Sequence, residues 1–250
     1  MSEGQTNGAT IAFEQVEKGF SGRAVLDKVS FSVAEGEALC ILGRSGTGKS
    51  VTLKLMIGLL TADAGRVLVE GDDVGTLDEE GLMRVRRKMG YLFQSAALFD
   101  SFTLNENLAM PLHRLDPNRT PEQIKSCVER TLAEVGLEKD GNKMPNALSG
   151  GMQKRAGLAR ALVLQPKILL VDEPASGLDR ITASEIDDLL IKVKTERHTT
   201  MVIVTHDIHG ARKIADKFAV LDQGRVLAFG TPEELDRRND SRLNQFISER

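Results

Sequence analysis

The segment Gly43-Arg-Ser-Gly-Thr-Gly-Lys-Ser50 constrains this chain more than any other. Gly43 and Gly48 occupy the two fixed glycine positions of the G-x-x-x-x-G-K-S spacing. Arg44, Ser45, Gly46 and Thr47 fill the variable ones. The apolar run Ala38 to Leu42 reads as a strand feeding this loop, and Ser50 to Leu60 shows helical spacing. That strand, loop and helix order is the context in which backbone N–H groups turn inward around phosphates, helped by the positive end of the helix. Lys49 adds a full charge there, and Ser50 offers a hydroxyl to Mg²⁺. The ordinary alternative is a glycine-rich turn that binds nothing. Strand before and helix after weigh against it.

The rest of the chain has the composition such a fold needs. Its 250 residues, 41% hydrophobic and 28% charged, suit one large or two small globular domains rather than a disordered chain. The net charge of −3 leaves no basic excess for a nucleic acid, so none is expected as a partner. Uninterrupted apolar runs such as Met201 to Val204 and Ile168 to Val171 fall far short of a membrane span. The start MSEGQTNGAT has no basic region and no apolar core, which points to a cytoplasmic address. Cys40 and Cys127 have neither the number nor the spacing of a disulfide framework, and Cys40 reads as packing.

After a polar tail (1–10), strands are expected at Ile11 to Val16, Val25 to Val33, Ala38 to Leu42 and Arg66 to Glu70. From about Ser95 to Leu164 strand signals vanish and helices follow one another, including Pro121 to Val135 and Gly151 to Leu164. Strands resume at Lys167 to Val171, Met201 to Thr205 and Lys217 to Leu221, with a helix at Thr182 to Glu196. This alternation predicts an α/β fold with a parallel sheet and a helical insertion. Pro232 to Arg250 reads as helical, charged and peripheral.

Ile168-Leu-Leu-Val-Asp172-Glu173 ends a buried strand in two carboxylates. Successive strand side chains point to opposite sides, so the pair can divide its work. Asp172 is placed to hold a Mg²⁺ shell and Glu173 to orient or deprotonate an attacking water. Solvated acids at a strand end are the plainer reading. Leu148-Ser-Gly-Gly-Met-Gln153 can start a helix capped by Ser149, with the N–H groups of Gly150 and Gly151 open to an anion. Alone it would be a plain N-cap. Arg84, Arg86, Arg87 and Lys88, and Lys154, Arg155 and Arg160, read as solvated basic faces, with a partner protein or anionic headgroups as the functional alternative.

The order of these segments resembles the nucleotide-binding subunit of ATP-binding cassette (ABC) transporters, from Phe13 to about Gly230. The resemblance implies a P-loop cassette with a RecA-like parallel-sheet core, an antiparallel β subdomain and an inserted α-helical subdomain. A single cassette over 11–235 would carry the insertion at about 95–164, followed by a C-terminal helical segment at 236–250. It implies ATP and Mg²⁺ as ligands and ATP hydrolysis as the reaction. Phe20 matches the aromatic that stacks on adenine, a core phenylalanine being the alternative. The run from Gly43 through Val51 matches the phosphate cradle. Gln94 matches the glutamine that senses Mg²⁺ and water, Asp179 the acid that crosses a dimer interface, and His206 the histidine that contacts the γ-phosphate. Ser149, Gly150 and Gly151 match the signature that closes over ATP bound to a second copy, so a head-to-tail homodimer is implied. Met152 departs from the usual glutamine.

Leu148 to Ala161, the run Phe-Gln-Ser-Ala-Ala-Leu-Phe-Asp (93–100) and Gly-Lys-Ser-Val (48–51) resemble the ATPase of Mla-type phospholipid transporters. Those work with an integral permease, an MCE-domain lipid-binding protein and, in some members, a STAS-domain protein. The ATPase sits on the cytoplasmic face of the inner membrane. An ABC ATPase of another importer or exporter remains open. So does a soluble ABC ATPase acting on nucleic acid or ribosomes, although the chain has neither a second cassette nor a coiled-coil insertion.

Overall fold

The computed structural model describes residues 8–238 and 240–248. Most of the polar tail, and residues 239, 249 and 250 of the C-terminal segment, lie outside them. Strands β1 (Ala9–Phe20), β2 (Arg23–Ala34), β4 (Ala64–Val69) and β5 (Asp72–Asp73) form an antiparallel sheet in the order β2-β1-β4-β5. A second sheet has the order β10-β9-β3-β8-β7-β6, built from β3 (Ala38–Leu42), β6 (Met89–Leu92), β7 (Ile168–Asp172), β8 (Thr200–Thr205), β9 (Lys217–Asp222) and β10 (Arg225–Gly230). It is parallel except for the antiparallel edge strand β10.

The parallel strands are buried on both faces, which is why they read as unbroken apolar runs. Along β3, Leu39 and Ile41 pack toward the antiparallel sheet and α1 (Lys49–Met56), while Ala38, Cys40 and Leu42 pack on the opposite face. The second face is covered by α5 (Gly150–Leu162), α6 (Arg180–Arg197) and α7 (Ile208–Ile214). Between β6 and β7 the chain runs through α3 (Leu104–Leu115), α4 (Pro121–Glu134) and α5. These share a core of their own, with Leu104, Leu108 and Leu112 packed on Ile124, Val128, Leu132 and Ala159. Thr103 and Thr120 start α3 and α4 with capping boxes.

Several sequence readings are corrected. β6 was not anticipated because it is four residues long and includes Gly90, yet a Cβ there would meet the Ala161 carbonyl at 2.3 Å. The glycine therefore marks close helix-on-strand packing rather than a turn. The first helix ends at Met56, short of Leu60, where Arg86 of α2 (Glu79–Arg87) donates to the carbonyls of Ile57 and Gly58. The C-terminal stretch is two short helices, α8 (Pro232–Asp236) and α9 (Ser241–Ile247). It is not peripheral, because Leu235, Leu243 and Ile247 are buried in the core beneath the sheet. Lys154 does not lie on a solvated face either. It is 6% exposed, and Arg160 donates to the carbonyls of Ala96 and Ala97.

Candidate active site

The loop between β3 and α1 closes on itself before any ligand is considered. Gly48 caps α1 with φ near 100°, a conformation that a side chain would strain, and no side chain satisfies the helix's first N–H groups. Those donors face a cavity of about 590 Å³, lined among others by Ser45, Gly46, Lys49, Ser50 and Val51. Lys49 is buried, and its ammonium donates to the carbonyls of Gly43 (2.9 Å) and Arg44 (3.3 Å). The Thr47 hydroxyl also donates to the Arg44 carbonyl, at 2.9 Å.

β7 delivers the two acids to the same place. Ser50 Oγ donates to Asp172 Oδ1 at 2.9 Å, and the Tyr91 hydroxyl approaches Oδ2 at 3.4 Å. Burial raises Asp172 above the usual carboxylate range, and the Ser50 bond opposes that shift. Burial, then the Asp172 charge, pushes the Tyr91 phenol up. Glu173 follows with φ of 47°, its N–H held by the Val204 carbonyl. Its Oε1 lies 3.5 Å from Lys49 Nζ and its Oε2 lies 2.8 Å from His206 Nδ1. The His206 backbone N–H also donates to Oε2, at 3.3 Å. Gln94 lines the cavity opposite and donates to Ser176 Oγ at 3.3 Å. Lys154 spans both sides, donating to the Gln94 carbonyl (2.5 Å) and the Glu173 carbonyl (3.1 Å). Burial lowers its pKa, while Asp172 and Glu173 oppose that.

The cavity thus gathers Lys49, Ser50, Gln94, Glu173 and His206, with Asp172 reached through Ser50. Ser149, Gly150, Gly151 and Asp179 do not line it. Ser149 caps α5 by accepting from the Met152 N–H. Asp179 caps α6 by accepting from Ile181 and Thr182, and the Thr182 hydroxyl holds its carboxyl below the usual range. Phe20 is 43% exposed at the end of β1 with Lys18 Nζ 5.5 Å from its ring, a surface position rather than a core one. Arg44 lines the cavity, but its guanidinium donates to Gln245 Oε1 of α9 and lies 5.7 Å from the Phe246 ring. Tyr91 and Lys154 were missed as site residues. Only their nearness to Gln94 and Ser149 in the chain could have drawn attention to them.

The Ser50 and Asp172 oxygens form a hard, oxygen-only foot suited to Mg²⁺. Among the described residues no group of three His, Cys, Asp or Glu is arranged to hold a metal unaided. The remaining ligands would have to be phosphate and water, which is the usual state of nucleotide-bound Mg²⁺.

An open helix start and a buried lysine facing a carboxylate pair at the end of a parallel strand define a P-loop nucleoside triphosphatase. The ABC transporter family model matches residues 26–176. A relative from Mycobacterium tuberculosis, named "Probable ribonucleotide transport ATP-binding protein mkl", is 39% identical over 249 residues, covering 100% of this chain and 69% of that protein. The "Methionine import ATP-binding protein MetN" of Caulobacter vibrioides is 40% identical over 90% of this chain and 68% of its own length. Among solved structures, the dimeric post-hydrolysis state of the ATP-binding cassette MJ0796 with ADP and Pi superposes with a TM-score of 0.82. It is 33% identical over 88% of this chain and 98% of that one. The chain belongs to the ABC transporter family as an ATP-binding subunit, and it is an ATPase.

Proposed function

We propose that two copies of this chain pair head to tail, so that each ATP lies between the P-loop of one copy and the Ser149 to Gly151 helix start of the other. The observation that carries this reading is the separation of the two anion-ready helix starts. Lys49, Ser50, Gln94, Glu173 and His206 share one cavity, while Ser149, Gly150, Gly151 and Asp179 stand outside it. One copy then holds only half of each site, and two-fold symmetry completes both.

Within that site Lys49 and the loop N–H groups bind the β- and γ-phosphates, and Phe20 offers its exposed ring to adenine. Ser50, Asp172 and Gln94 would hold Mg²⁺, which when bound would supply charge neutralisation at the phosphate oxygens. Glu173 orients the attacking water and takes its proton, with its carboxylate steered by Lys49 on one oxygen and His206 on the other. Asp179 meets the facing copy.

The cargo reading is phospholipid transport with an integral permease and an MCE-domain protein, with or without a STAS-domain subunit. It places the dimer on the cytoplasmic face of the inner membrane. Its support is the resemblance of segments 93–100 and 148–161 to Mla-type ATPases. No described helix is long and apolar enough to cross a membrane, and this reading assigns the span to the permease. A second reading, import of another solute, is favoured by relatives named for methionine and for glycine betaine transport. Affinity purification in mild detergent separates them. Recovery of a permease with an MCE-domain protein supports the first, a permease with a solute-binding protein supports the second, and soluble nucleic-acid partners overturn both.

A further inference from the structure

Lys154 is the one buried cation of α5, set in a stretch whose buried neighbours are Ala156, Gly157, Leu158 and Ala159. Nothing in the packing of such a helix calls for an ammonium group, and burying one is unfavourable unless its protons find acceptors. Two of them do. One goes to the Gln94 carbonyl at 2.5 Å and the other to the Glu173 carbonyl at 3.1 Å. These residues lie 60 and 19 positions away in sequence, at the exits of adjacent strands β6 and β7. Glu173 needs such a tether, because its φ of 47° is a strained setting for a non-glycine residue. Its N–H is fixed to β8 through Val204, and Lys154 fixes its carbonyl.

We infer that Lys154 is a positioning residue, a strut from the signature helix that sets the distance between Gln94 and Glu173 in its own subunit. The inference rests on the composite-site reading above and adds a consequence to it. The first turn of α5 would serve the ATP of the facing subunit, while Lys154, one turn further on, holds the hydrolytic residues of its own. A shift of this helix when the dimer closes would reach both sites. Lys154 need not touch nucleotide to do this.

The test uses K154M, which keeps the apolar stem and removes the donors, with K154Q and K154R, which restore donors in place of the ammonium. ATPase rates and the affinity for a fluorescent ATP analogue are measured on each. For K154M the expected result is a fall in kcat of at least about tenfold, with nucleotide affinity little changed. At least one of the donor-bearing variants should recover most of the loss. Hydrogen exchange without nucleotide gives a readout independent of turnover. The amides of Ala96 and Ser176, bonded to the carbonyls of Phe93 and Glu173, should exchange faster in K154M. K154A, which lets water reach both carbonyls, serves the same comparison if K154M does not fold. Unchanged kcat in K154M, or unchanged exchange at both amides, overturns the strut. If the protein binds ATP and stays monomeric, the composite-site reading fails while the exchange comparison still decides the role of Lys154.

Discussion

Asp187 should make this protein lose stability as pH rises toward neutrality, and replacing it with asparagine should remove that loss. Asp187 is 4% exposed on α6, and its carboxyl lies over Gly210 of α7, where a Cβ would come within 2.8 Å of Oδ2. Burial first, then the Asp207 charge, pushes it from an ordinary 3.8 up to about 6, with Asp188 adding and Lys213 and His209 opposing. An acid raised in this way binds its proton more tightly folded than unfolded. Its contribution is therefore fully present below 3.8 and lost as pH rises through 6. A rise of that size corresponds to roughly 3 kcal/mol at pH 8, about half of it already expressed at pH 5. Urea unfolding of wild type and Asp187→Asn at pH 5 and pH 8 measures the difference. The variant's stability relative to wild type should improve by about 1 to 1.5 kcal/mol between the two pH values. A His209→Gln background separates Asp187 from its histidine neighbour. An advantage that is the same at both pH values would refute the reasoning.

Leu243→Ala should cost about 2–5 kcal/mol in the same unfolding assay, as for any fully buried leucine, whereas a peripheral α9 would lose almost nothing. Phe20→Ala should weaken ATP binding by about 1 kcal/mol and leave the binding of inorganic triphosphate unchanged, as read by calorimetry. Equal loss for both ligands would remove Phe20 from the adenine role.

What could be read from sequence was chemistry carried by contiguous residues. Gly43 to Ser50 and Asp172-Glu173 announce themselves because strand, loop and acid follow one another along the chain, and the fold leaves them where β3 and β7 end. What could not be read depends on distant backbone approaching. Lys154 reaches two carbonyls from other elements, and in a run of small residues no periodicity shows which side of α5 turns inward. Tyr91 was hidden with β6, whose Gly90 looks like a turn until Ala161 is seen against it. In α9 the apolar spacing of Leu243, Phe246 and Ile247 was present, but the charged residues around it suggested a solvated end. Asp179 and Ser149 act as helix caps within this copy, and the role proposed for them across a dimer involves a second copy.

The composite site is tested most directly with Glu173→Gln, by following oligomeric mass in solution with and without ATP while ATP turnover is assayed. The variant should bind ATP, form a stable ATP-dependent dimer and lose turnover by about 10²-fold or more. Near-normal turnover, or a variant that binds ATP and stays monomeric, would contradict the assignment of Glu173 and the sharing of each site between two copies.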